Sequence, residues 1–167
     1  NVDLIRLAVN PINLKRALLL ATKIKEKGFK VAINLMYMSE WVNDKKFLSS
    51  LKDTEGKIDY LYLVDSFGSA DPEEVFKLVR NITNFTSTPI GFHGHNNIEL
   101  ALINSLKALE AGCSIVDVTI SGMGRGAGNL STELLLTYLS SKNVIDFNLT
   151  KFSEIVSKVE ELKSYYK

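Results

Sequence analysis

The sequence predicts an α/β fold built on parallel strands, and three observations carry that prediction. Short apolar runs rich in branched residues alternate with longer segments whose apolar residues recur at helical spacing. The strand-like runs are apolar throughout, as in strands covered by helices and buried on both faces. Caps, glycines and a proline fall where the two kinds of segment meet.

Five βα units are legible in order. The first strand covers Leu4 to Val9, and its helix closes at Gly28 after a lysine-rich turn. A second strand runs from Val31 to Tyr37; the Met36, Met38 and Trp41 cluster at its end reads as core or pocket wall. Next comes Ile58 to Asp65, followed by a helix opened by Asp71-Pro72-Glu73-Glu74, which supplies a cap, a proline and acids in the first turn. The fourth strand, Pro89 to His95, leads to a helix ended by Gly112. The fifth, Ile115 to Ser121, leads through a glycine-rich loop to a helix starting near Leu130. Beyond the polar stretch Ser140 to Asn143, a terminal helix is expected from Ser153 to Tyr166. These patterns leave open whether the strands close into a barrel or form a doubly wound sheet.

Composition narrows the class of partner. The 167 residues suffice for one domain with a sizeable core, and a formal charge of +1 with scattered lysines gives no electrostatic footprint for nucleic acid or an acidic membrane. A single cysteine, Cys113, excludes an internal disulfide and fits a cytoplasmic setting; between Gly112 and Ser114 it reads as a packing residue. No apolar run approaches the roughly 20 residues of a membrane span. The chain opens at Asn1 and enters an apolar run almost at once, which reads as a beginning within a domain.

Three segments carry candidate chemistry. In Gly91-Phe92-His93-Gly94-His95-Asn96-Asn97 the chain's only two histidines stand two residues apart at the carboxyl end of a strand, so both imidazoles share one face. Ligands gather at that end of parallel strands, which makes the pair half of a metal site; otherwise it is two hydrogen-bonded histidines. Val64-Asp65-Ser66-Phe67-Gly68 ends another strand, and Ser66 can donate to a substrate carboxylate or carbonyl unless it serves only the turn. In the same segment Asp65 can hold a ligand, a neighbouring strand or a backbone amide. Gly122-Met123-Gly124-Arg125-Gly126-Ala127-Gly128-Asn129 lets backbone amides approach a ligand closely. Through Gly122, Gly124 and Ala127, with Asp146 beyond, it also meets a loose dinucleotide pattern, although it follows the last strand rather than the first.

His-Gly-His-Asn-Asn at one strand end and the glycine loop after the next, with Asp65-Ser66 and Ile5-Arg6-Leu7-Ala8 upstream, resemble the metal-dependent aldolase and lyase superfamily on a TIM barrel. The hydroxymethylglutaryl-CoA lyases belong to it; the glycine loop and Asp65-Ser66 are most similar to the 4-hydroxy-2-oxovalerate aldolase branch. The resemblance implies a partial (β/α)8 barrel comprising strands four to eight, with residues 1–141 its later part and residues 142–167 a polar connection and terminal helix. It implies His93 and His95 as ligands of a divalent cation, with Asn129 as a ligand or a supporting group. Manganese is the favoured ion, with magnesium, cobalt or zinc as alternatives. Ser66 is implied as a contact to a small 2-oxo acid; Arg125, where that branch carries a small residue, is a further substrate contact that leaves the acid's identity open. The implied reaction cleaves or forms a 4-hydroxy-2-oxo acid through a metal-stabilised pyruvate enolate. The third ligand, an aspartate, and the catalytic base are implied on the first barrel strand, so no catalytic residue is assigned within this chain. Homo-oligomers or a partner dehydrogenase are further expectations; a dinucleotide- or phosphate-binding module and a non-catalytic barrel relative are the rivals.

Overall fold

The computed structural model describes residues 2–165. Five strands, β1 (Leu4–Val9), β2 (Lys30–Leu35), β3 (Tyr60–Asp65), β4 (Ile90–Gly94) and β5 (Ile115–Val116), form one parallel sheet in the order β1-β2-β3-β4-β5. A doubly wound sheet reverses its strand order at a switch point, whereas a barrel wall adds each strand beside the last. No reversal occurs, so the α/β chain has the sheet order of a partial TIM barrel. The helices are α1 (Leu14–Lys25), the short α2 (Met38–Trp41) and α3 (Lys45–Ser50), α4 (Pro72–Ile82), α5 (Ala101–Ala111), α6 (Thr132–Ser141) and α7 (Leu149–Ser164).

Strand alternation sorts the residues into two layers. Val31, Ile33 and Leu35 of β2, Leu61 and Leu63 of β3, and Ile90 and Phe92 of β4 join the buried core with Leu18 and Ala21 of α1 and Val75, Leu78 and Ile82 of α4. Met38, Trp41 and Cys113 lie in the same core, and the burial that pushes the Cys113 thiol up to about 12 leaves it a packing residue. The alternate positions, Arg6, Asn34, Tyr62 and His93, fall on the opposite face, the inner side of the wall. Greasy strands thus carry a polar inner face, and that division positions the site.

Helix punctuation follows the sequence closely. Asp71 accepts the Glu73 amide at 2.8 Å while the Glu74 carboxylate accepts the Asp71 amide at 3.1 Å, closing a capping box at the start of α4. Several boundaries differ from expectation. β2 ends at Leu35 rather than Tyr37, because Tyr37 turns the chain in the left-handed region at φ 59°. β5 is two residues long instead of reaching Ser121. Beyond it, Thr119 donates its amide to Leu130 at 3.0 Å, so the chain returning from the glycine loop takes the backbone bonds that another strand would use. Leu130 is therefore spent in pairing, and α6, capped by Ser131, starts at Thr132, two residues later than expected. The terminal helix starts at Leu149 rather than Ser153, since the Asn148 side chain accepts the Lys151 amide at 3.0 Å; Tyr166 lies outside the described residues. No helix among the described residues is long and apolar enough to cross a membrane.

One carboxylate ties three elements together. Asp59 accepts the Val31 amide at 2.7 Å and the Lys25 ammonium at 3.0 Å. Burial alone would raise its pKa, but the Val31 and Lys25 hydrogen bonds and the lysine charges outweigh it and hold the carboxyl below its usual range. A folded-state pKa below the unfolded one contributes stability that is present above the ordinary carboxylate range and lost as pH falls through the depressed value. Asp59→Asn is expected to lower stability at neutral pH by at most about 1 kcal/mol, given solvent screening. Denaturant titrations should show that gap closing below about pH 4; a gap unchanged by acid would refute the ion-pair account.

Candidate active site

His93 is the penultimate residue of β4 and His95 follows the strand, so both leave the carboxyl end of the wall. Their rings meet edge-on with centroids 5.2 Å apart. The His93 Nδ1 lies 2.8 Å from Asp117 Oδ2, and the Arg6 Nη2 donates to that oxygen at 2.6 Å while Nη1 donates to Oδ1 at 3.1 Å. Burial would raise Asp117, but the His93 and Arg6 hydrogen bonds and the arginine charge prevail and hold it below its usual range. An ionised carboxylate only accepts, so His93 donates to it from Nδ1, and Nε2 is the ring nitrogen left for another partner.

Arg6 is held from several sides. Its Nε and Nη2 donate to Asn34 Oδ1 at 3.0 and 2.9 Å, and its guanidinium lies 3.9 Å from the centre of the Tyr62 ring. Burial lowers its pKa, whereas the bond to Asp117 and that carboxylate's charge raise it further. His95 is shifted the other way: burial, then the nearby His93 and Arg125, lower its pKa, while Asp65 and a hydrogen bond with the Gly128 backbone oppose without reversing this. A neutral imidazole is the form that binds a cation.

The glycine loop closes against these histidines. Asn96 donates its amide to Gly128 at 2.9 Å, and Asn129 pairs with His95 across an isolated bridge. The Asn129 side-chain amide donates to the Met123 carbonyl at 3.1 Å, which leaves its Oδ1 buried with no hydrogen-bond partner. An orphaned amide oxygen on a residue whose backbone pairs with His95 suits a divalent cation, whose ligands are lone pairs of nitrogen and oxygen. No trio of His, Cys, Asp or Glu among the described residues is arranged to hold a metal ion, so the set lacks a carboxylate. Glu133 clamps the base of the loop, accepting the Ser121 amide and the Ser131 hydroxyl, each at 2.7 Å.

The remaining candidates fall around this centre. Ser66 is buried, and its hydroxyl oxygen accepts the Tyr37 amide at 2.9 Å, which leaves the hydroxyl hydrogen available to donate. Asp65 serves the turn instead, accepting the Ser69 and Ala70 amides at 3.3 and 3.1 Å. Arg125 is exposed on the loop, close enough to act on His95. Sequence reasoning singled out neither Asp117 nor Glu133 and gave Arg6 no role at the site. A lone charge inside each of two apolar runs, Leu4 to Val9 and Ile115 to Ile120, was the available signal.

The family model described as HMGL-like matches residues 12–159. A 4-hydroxy-2-oxovalerate aldolase from Pelotomaculum thermopropionicum is 36% identical over 140 residues, which cover 83% of this chain and 41% of that protein. An oxaloacetate decarboxylase from Mycobacterium tuberculosis is 29% identical over 141 residues, covering 84% of this chain and 42% of that protein. Among solved structures, the N-terminal domain of a candidate aldolase from Bacteroides vulgatus superposes with a TM-score of 0.94 at 45% identity, over 99% of this chain and 55% of that one. The chain therefore spans less than half the length of these two relatives.

Proposed function

The chain belongs to the HMGL-like family, and we propose that it supplies the metal-binding and substrate-contacting part of an aldolase that cleaves or forms 4-hydroxy-2-oxo acids. The observation that carries this reading is the pair of imidazoles, His93 and His95, with rings 5.2 Å apart at the strand end, together with the unpartnered Oδ1 of Asn129, whose backbone pairs with His95. These three would hold a divalent cation together with a carboxylate from chain beyond these residues. Bound there, the cation would supply Lewis-acid chemistry to the oxygens of a 2-oxo acid.

The chain's own side chains bind and orient. Ser66 donates its hydroxyl hydrogen to the acid's carboxylate or carbonyl, with its oxygen already fixed by Tyr37. Arg125 brings a cation to the open side, where it favours the acid's carboxylate. Gly122 to Asn129 form the wall that limits water at that side. As a base outside these residues takes the 4-hydroxyl proton, the C3–C4 bond breaks to release the aldehyde, and return of a proton to C3 of the enolate yields pyruvate. Manganese is the ion proposed, as the resemblance implies, and the oxygen share of the ligand set suits it.

The experiment is a pyruvate-release assay with the full-length protein, before and after chelation, on a panel of 4-hydroxy-2-oxo acids and on oxaloacetate. Metal-dependent release from a 4-hydroxy acid is the expected result. Release from oxaloacetate alone would replace aldol cleavage with decarboxylation. Full activity in chelator would remove the metal from the proposal.

A further inference from the structure

We propose that Asp117 is the positioning residue of this centre: by accepting Nδ1–H of His93 while the Arg6 fork holds its carboxylate, it fixes the ring with Nε2 as its donor to the cation. The inference rests on the metal-centre reading and adds a residue to which that reading gives no part. The geometry favours positioning over a merely structural ion pair. Asp117 donates its own amide to the Phe92 carbonyl at 2.9 Å, so the backbone is anchored without the side chain. The carboxylate is itself clamped, because Arg6 reaches both its oxygens while Asn34 and Tyr62 hold the guanidinium from the other side. A side chain so constrained can transmit orientation to an imidazole that it touches at 2.8 Å. Partners of this kind set the tautomer and basicity of ligating histidines, and losing one typically weakens metal binding about 10–100-fold.

The test uses the full-length protein stripped of metal. Manganese titrations followed by electron paramagnetic resonance give stoichiometry and Kd for wild type, Asp117→Asn, Asp117→Ala and the double variant Arg6→Met/Asp117→Ala. Nitrogen-15 NMR of histidine-labelled, metal-free protein reads the tautomer, with His93 assigned by the signals lost in His93→Gln. Wild type should bind one manganese through His93 in its Nδ1–H form. Asp117→Ala should keep the stoichiometry, weaken Kd by about 10–100-fold and mix the tautomers. Asp117→Asn should fall between, since an amide oxygen still accepts from His93 while its amino group opposes Arg6. Affinity within twofold of wild type and an unchanged tautomer in both single variants would overturn the positioning role and leave the metal centre standing. Restoration of wild-type affinity in the double variant would also overturn it, showing that Asp117 only neutralises Arg6. Wild type binding no manganese would instead overturn the centre itself.

Discussion

Replacing His95 or His93 with alanine is expected to lower kcat/KM of the full-length protein on the order of 10³-fold, equivalent to about 4 kcal/mol of transition-state stabilisation. Each substitution removes a nitrogen for which the described residues offer no substitute, because they contain no group of three or more His, Cys, Asp or Glu placed to hold a metal. The loss should exceed that of Asp117→Ala, which leaves both imidazoles in place. Folding should be spared, since neither ring belongs to the apolar core. A ligand present at 100 times its Kd stabilises the native state by about 2.7 kcal/mol, so wild type should show a metal-dependent rise in Tm that both variants lack. A variant retaining that rise and its turnover would remove its histidine from the site.

The alternation of strands and helices was legible because burial on both faces writes strands as apolar runs, and because the capping box at Asp71 opens α4 and the left-handed Gly112 closes α5 in ways that residue type announces. Strand ends were less legible. Tyr37 and Ser121 take left-handed backbone at φ 59° and 54° without being glycine, so composition gave no warning that β2 and β5 stop early. Tertiary pairing decided the end of β5: Thr119 and Ser131 pair across the glycine loop, which no local pattern encodes.

The site divides in the same way. His93 and His95 stood out through type and spacing, because their relation is local, whereas Asn129 entered only through what the resemblance implied. Arg6 and Asp117 meet across 111 positions of sequence, so their pairing is a consequence of the tertiary fold rather than of either segment. Each was nevertheless marked as a lone charge within an apolar run of sequence, which calls for a partner. Alternation places Arg6 on the inner face, and Asp117 follows the strand that ends the wall. Ser66 shows the opposite limit: its position at the strand end was read correctly, but its bond to the Tyr37 amide depends on the turn that sequence did not reveal.

That turn region also sets the second large effect, Gly68→Ala. Gly68 adopts φ +59°, and a β-carbon there would stand 2.8 Å from the Asn97 amide nitrogen and 2.9 Å from the His95 carbonyl carbon and oxygen. All three neighbours are backbone, so relief requires the β3 turn and the loop after β4 to separate. The turn is already bonded to that loop, with Ile98 donating to the Gly68 carbonyl at 3.2 Å. Left-handed strain costs an L-residue about 1–2 kcal/mol and overpacking another 1–3 kcal/mol, about 2–5 kcal/mol together in proteins whose stability is typically about 5–15 kcal/mol. Gly28→Ala is the control, because Gly28 shares the left-handed conformation at φ +86° but has nothing within 4 Å of an added β-carbon. It should cost only the conformational part. Displacing His95 should also weaken manganese binding in Gly68→Ala under conditions where both variants remain folded, and leave it unchanged in Gly28→Ala. Equal destabilisation of the two variants, with manganese affinity intact in both, would show that the contact between the β3 turn and His95 does not hold the centre in place.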